Sequence, residues 1–135
     1  MGGLVEENPT IVPYSRSLEL MRQADGLLVL GVNDSAYMPS KLFSYARSGK
    51  PLLVSLVAGS QALETFRRMP EVGHVITFGN DQPDSFEKRE LRAFLKEVME
   101  RGVTSRDGVA REFSDLALGR RHAEIFEKCV EAGRL

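Results

Sequence analysis

The chain alternates between short apolar runs and segments with helical spacing. Gly26-Leu27-Leu28-Val29-Leu30 is a continuous apolar run that does not alternate, which predicts a strand buried on both faces, as in a parallel sheet. Pro51 to Val57 is a second such run, Val75 to Phe78 a third, and Thr10 to Val12 reads as a short strand ending at Pro13. Helical patterns fill the intervals. Ser15 can cap a helix to about Gln23, with Leu18, Met21 and Ala24 on one face. Pro39 suits a helix start, where its missing N–H costs nothing; Leu42, Phe43 and Ala46 follow at helical spacing, and Gly49 is the expected left-handed stop. The turn Ala58-Gly59-Ser60 leads into a helix from about Gln61 to Met69 that ends before Pro70. Asp84 with Glu87 makes a capping box, and the helix behind it, to about Glu100, sets Leu91, Phe94, Leu95, Val98 and Met99 on one face. A last helix is predicted from about Arg111 to Ala132, with Phe113, Leu116, Ala117, Phe126 and Val130 inward and a bend at Gly119.

Strands alternating with helices imply parallel βαβ units with right-handed crossovers. The expectation is an α/β fold: a three-layer Rossmann-like domain with a mostly parallel sheet over residues 10–135, behind a disordered tail over residues 1–9 punctuated by Gly2, Gly3 and Pro9. A chain of 135 residues suits one such domain.

Composition removes several functions from consideration. With 18 basic and 19 acidic residues there is no electrostatic footprint for nucleic acid, and the pairs Arg67-Arg68 and Arg120-Arg121 read as solvated helix faces. Cys129 is the only cysteine, which excludes an intrachain disulfide and a multi-cysteine zinc site; its apolar neighbours suggest a quiet thiol. His74 and His122 are the only histidines and have no metal-ligand spacing, so no metal site is expected. Met1 to Asn8 has neither a basic start nor an apolar run, and Leu27 to Val32 is too short to span a membrane, so a cytoplasmic location is expected. There is no G-x-G-x-x-G, no phosphate loop ending in Gly-Lys-Ser/Thr and no G-x-S-x-G elbow, so spacing supplies neither nucleophile nor general base.

In open parallel sheets ligands bind beyond the carboxyl ends of the strands. Here those ends lead into Gly31 to Ser40, Leu56 to Ser60 and Phe78 to Asp84. A helix start offers unpaired N–H groups and a partial positive charge, which suits an anion. Lys41 in a first helical turn opposes that dipole, so Ser40 and Lys41 are candidate diphosphate or sugar contacts; the plainer alternative is a solvated lysine beside a capping serine. Gly59 permits close backbone approach and Ser60 can bind an anion, although capping is the simpler role for Ser60.

One stretch carries a resemblance. Val12-Pro13-Tyr14-Ser15, Leu20-Met21-Arg22-Gln23-Ala24-Asp25-Gly26 before the first apolar run, and Pro39-Ser40-Lys41-Leu42-Phe43-Ser44-Tyr45-Ala46 leading to Gly49-Lys50-Pro51 together resemble the donor-binding, C-terminal half of retaining, nucleotide-sugar-dependent glycosyltransferases of the GT-B architecture. The resemblance implies transfer of a sugar from a nucleotide diphosphate sugar to an acceptor, with the donor as substrate and with no cofactor or bound metal. It implies that the loop from Asn33 to Lys41 faces the donor, that Ser40 and Lys41 lie by the diphosphate or sugar, and that Ser44, beside Tyr45, faces the ribose. The family usually has a glutamate where this chain has Ser44, and its frequent acidic partner falls on Ala36; a serine can bond one ribose hydroxyl, without charge assistance. In the family further βα units precede the position of Thr10, and a second domain carries the acceptor site and usually a catalytic base. The domain therefore reads as truncated at its N-terminus, with a sheet edge and a last-helix face open to self-association.

Two other classes stay open. The order Ala-Asp, strand, loop, helix, Gly-Lys-Pro, strand is also similar to nucleoside deoxyribosyltransferases, although Ser44 stands where their nucleophilic glutamate is expected. A non-catalytic binding module on the same sheet is the other; a receiver-like role for Asp34 is weaker, since no paired acidic residues precede it.

Overall fold

The computed structural model describes residue 3 and residues 5–69, 72–79, 84–100 and 114–133, with the side chains of 84–86 excepted. Helices α1 (Tyr14–Gln23), α2 (Lys41–Arg47), α3 (Gln61–Arg67), α4 (Asp84–Met99) and α5 (Asp115–Glu131) alternate with strands β1 (Leu27–Leu30), β2 (Leu52–Val57) and β3 (His74–Phe78) up to α4. The strands form one parallel sheet in the order β1-β2-β3, with Leu27 opposite Leu52 and Leu53 opposite His74. The chain is thus an α/β protein with a Rossmann-like arrangement.

Side chains alternate across a pleated sheet. Leu27, Val29, Leu52, Val54 and Leu56 therefore share one face, where Leu42 and Ala46 of α2 and Ala62, Leu63 and Phe66 of α3 close over them to form the core, with Met69 and Val72 at its end. The opposite face carries Leu53 and His74, and α4 packs there against β2 and β3. Helices on both faces make three layers.

The central strand behaves as its sequence predicts: Leu52, Leu53, Val54 and Leu56 are all buried. β1 does not. Leu27 and Val29 are buried, whereas Leu28 is 50% and Leu30 67% exposed. β1 is at the edge of the described sheet, and Leu28 and Leu30 point to the face where α4 packs mainly on β3 and β2 and leaves β1 uncovered. The expected strand at Thr10 to Val12 is absent; that segment is irregular and largely exposed.

Helix boundaries follow the sequence with a few displacements. α1 starts at Tyr14 behind Pro13, one residue before the expected Ser15 cap. Gly49 has φ +73°, the left-handed stop expected of it. α4 begins at Asp84, and the proposed Asp84 capping box lies outside the described side chains. α5 starts at Asp115, capped by Ser114, whose Oγ accepts the Ala117 N–H at 3.2 Å, and it runs unbroken through Gly119; Phe113 lies outside the described residues.

The apolar stripe expected on α4 is only partly used. Phe94 and Val98 face the sheet, but Leu91, Leu95 and Met99 are exposed. The helix is turned so that two carboxylates meet the imidazole of His74: Glu97 Oε2 lies 3.0 Å from Nε2 and Glu90 Oε2 lies 3.4 Å from Nδ1, all three side chains being mostly buried. The ring also meets Phe94 edge-on at 6.3 Å. Gly26 leaves room for this docking, since a Cβ there would lie 2.7 Å from Val98 Cγ2.

Two glycine-to-alanine changes should act in opposite directions. At Gly73 a Cβ would meet the carbonyl oxygen of Leu52 at 2.3 Å, a backbone atom held in the ladder; Gly73→Ala is expected to cost about 1–3 kcal/mol in urea unfolding. At Gly119 a Cβ meets nothing within 4 Å of the same chain, so Gly119→Ala should stabilise α5 of the monomer by about 0.5–1 kcal/mol, read in dilute solution as slower hydrogen exchange of its amides.

Candidate functional site

The carboxyl end of β1 feeds a loop over residues 31–40 that is structured by its own bonds. The Gly31 N–H continues the ladder to Ser55 O at 2.7 Å, and Asp34 Oδ1 accepts the Ala36 N–H at 2.9 Å. The Leu42 N–H reaches back to Pro39 O at 3.0 Å, and Pro39 itself is buried. The loop after β2 adjoins it, because the Gln61 N–H donates to Ser35 O at 3.2 Å. Two of the three carboxyl-end loops nominated from the sequence are therefore neighbours.

Along the outer side of β1 lies a cleft of about 390 Å³, lined by Leu28, Val29 and Leu30 on the strand, Tyr37 and Pro39 in the loop, and Ser40, Lys41 and Tyr45 at the start of α2. That volume is within the ordinary range for small-molecule sites. Its polar groups are one ammonium, one aliphatic hydroxyl and two phenols on an apolar floor. Among the described residues no carboxylate, imidazole or thiol lines it. Lys41 also borders a second depression, of about 570 Å³, between residues 8–12 and α1, where Tyr14 and Leu20 form part of the wall.

The three serines that precede helices differ in a way that bears on function. Ser60 and Ser114 have extended backbones (ψ 153° in both), and each side chain accepts an N–H from the first turn. Ser40 has helical angles (φ −60°, ψ −29°) and makes no capping bond, although it holds the N-cap position of α2. A capping side chain needs the extended backbone, so the Ser40 hydroxyl at the cleft is not engaged by its helix.

Of the residues nominated from the sequence, Ser40, Lys41 and Tyr45 come together in one wall. Ser44 does not join them: one helical step away, it lines a depression with Tyr14, Leu18 and Arg47 and another with Phe43, Asp115 and Leu118. Asn33 is exposed on the loop and lies outside the cleft lining. Ser60 is buried with its Oγ 3.2 Å from the Leu63 N–H, which is the capping role. Gly59 has φ +73° and open space where a Cβ would stand, so the turn conformation and not close packing accounts for the glycine. Tyr37 and the outward leucines of β1 were not nominated; the only available signal for Tyr37 was an aromatic residue in a long strand-to-helix loop. The His74 contacts were also missed, although Glu90 and Glu97 recur on one face of a helix.

Among the described residues no group of three histidine, cysteine, aspartate or glutamate side chains is placed to hold a metal ion, and no helix is long and apolar enough to cross a membrane. The fold and cleft define a Rossmann-like α/β domain with a small-molecule-sized cleft at the carboxyl end of its edge strand. No protein-family model, curated protein or solved structure matches the chain.

The two serine roles are separable by experiment. Ser60→Ala removes a cap and should lower Tm by about 3–5 °C, corresponding to about 1 kcal/mol. Ser40→Ala should leave Tm within about 1 °C, since no capping bond is lost. Differential scanning calorimetry of the two variants checks both.

Proposed function

We propose that this chain is the donor-binding half of a nucleotide-sugar-dependent glycosyltransferase, holding a nucleotide diphosphate sugar while a second domain supplies the acceptor and the catalytic base. The observation that carries this reading is the convergence of Ser40, Lys41 and Tyr45 on one cleft at the carboxyl end of β1, the position the Pro39-Ser40-Lys41 resemblance implies for the diphosphate. Lys41 supplies a positive charge to oxygen-rich phosphates and Ser40 a hydroxyl donor. Tyr37 and Tyr45 offer flat faces and phenol hydroxyls to a base or sugar, and Leu28 and Leu30 an apolar floor. With no carboxylate, imidazole or thiol among its described lining residues, the cleft on this reading binds and orients. On this reading it contributes positioning to a reaction whose bond-breaking groups come from the facing domain.

A second reading, a nucleotide-binding module without catalysis, is favoured by the orientation of Ser44. At that position the resemblance expects a ribose contact, and here the side chain borders other depressions. Titration calorimetry of the purified chain with UDP, GDP, ADP and CMP tests the shared requirement. A nucleoside diphosphate should bind, and Lys41→Ala should weaken it at least about tenfold, as expected for loss of a charged hydrogen bond. Folded protein that binds none of them, or a variant that binds as tightly as the wild type, overturns the donor-site reading. Sugar transfer on addition of the acceptor domain, against binding alone, separates the half-enzyme from the module.

A further inference from the structure

α5 is the most isolated element of the protein. It has 17 residues and none of them is buried. Helices of this length in water draw most of their stability from packing an amphipathic face. Such a face exists: Leu116, Gly119, Ala123, Phe126 and Val130 recur at alternating steps of three and four, the spacing of a helix-pairing seam. Leu116, Phe126 and Val130 are 67%, 62% and 63% exposed. The depression that α5 shares with Phe43, Ser44 and Arg47 of α2 is lined by Asp115 and Leu118 and by none of the seam residues.

We propose that this seam is an interface with a second copy of the chain, in which two α5 helices pack antiparallel about a twofold axis at Ala123. This inference is independent of the ligand reading. Ala123 and Gly119 are small and let the helices approach, while Leu116 of each copy packs against Val130 of the other. The charges flanking the seam fit the same arrangement. Arg120 and Glu127 occupy equivalent flanking positions one heptad apart, both exposed and with no ion pair to another described residue. Antiparallel pairing sets each Arg120 beside the other copy's Glu127, twice per dimer, with the helix dipoles opposed. A 17-residue helix face covers roughly 500 Å². Two of them reach about 1,000 Å², the lower range for a specific association, so a reversible dimer is the expected product.

Sedimentation velocity of the full chain, up to about 200 μM, should show a species of twice the 15.0 kDa chain mass. Phe126→Asp should be monomeric at every concentration with unchanged near-ultraviolet circular dichroism, because its side chain is outside the core. Arg120→Glu should weaken the dimer about tenfold, and the double reversal Arg120→Glu/Glu127→Arg should restore it. A parallel pair would place Arg120 beside Asp115 and Glu127 beside His122, so the double reversal would not restore it. Antiparallel pairing also holds the two Cys129 residues about 18 Å apart along the axis, from the helical rise, too far for a disulfide. A wild-type monomer throughout the range, a dimer that survives Phe126→Asp, failure of the double reversal to rescue, or ready oxidative cross-linking at Cys129 would each overturn the proposal.

Discussion

The fold depends on sheathing β2 on both sides at once. Among the described strands it alone has a neighbour on each edge and cover on each face, and its leucines at 52, 53 and 56 are buried. A parallel strand cannot turn straight back on its neighbour, so each connection crosses the sheet through a helix. α2 and α3 make those crossings on one face, and both contribute side chains to the core built on β2. The other face is left to α4, which arrives later in sequence and docks through a polar contact as well as an apolar one. The His74 imidazole between Glu90 and Glu97 gives α4 a defined rotation that a stripe of leucines alone would not impose.

Much of this was legible in the residues. The continuous apolar runs located β1, β2 and β3, and Gly49 located a helix stop. The misreadings have physical causes. Leu27 to Leu30 has the composition of a strand buried on both faces, but composition does not say whether a strand lies at the centre or the edge of its sheet; that depends on how many neighbours pair with it. Thr10 to Val12 is β-branched and apolar enough for a strand, yet a strand needs a partner and none of the described strands pairs with it. On α4 the apolar stripe pointed to one rotation, and a histidine on the strand just before it, paired with Glu90 and Glu97, selected another. The spacing of Glu90 and Glu97 puts them on one helix face but does not name the strand residue they meet.

The candidate cleft was legible in part. Ser40, Lys41 and Tyr45 were nominated together and line one wall. Ser44, nominated with them, falls outside because neighbouring positions on a helix are about 100° apart and a face has room for only some of them. The serines show a finer limit. Three of them precede helices in similar sequence settings, and the backbone angle at each one, which no residue pattern states, decides whether the hydroxyl is spent on its own helix or left for the cleft.

The corner around Lys41 has one more property that follows from where the aromatic residues fall. The chain has no tryptophan and three tyrosines. Tyr37 and Tyr45 line the cleft, and Tyr14 lines the depression on the other side of Lys41. All of the protein's phenol absorbance and emission therefore originates within one small region, with no signal from elsewhere to dilute it. Ultraviolet difference spectra and tyrosine emission thus act as a built-in optical gauge of this corner, responsive to whatever enters it without any label attached.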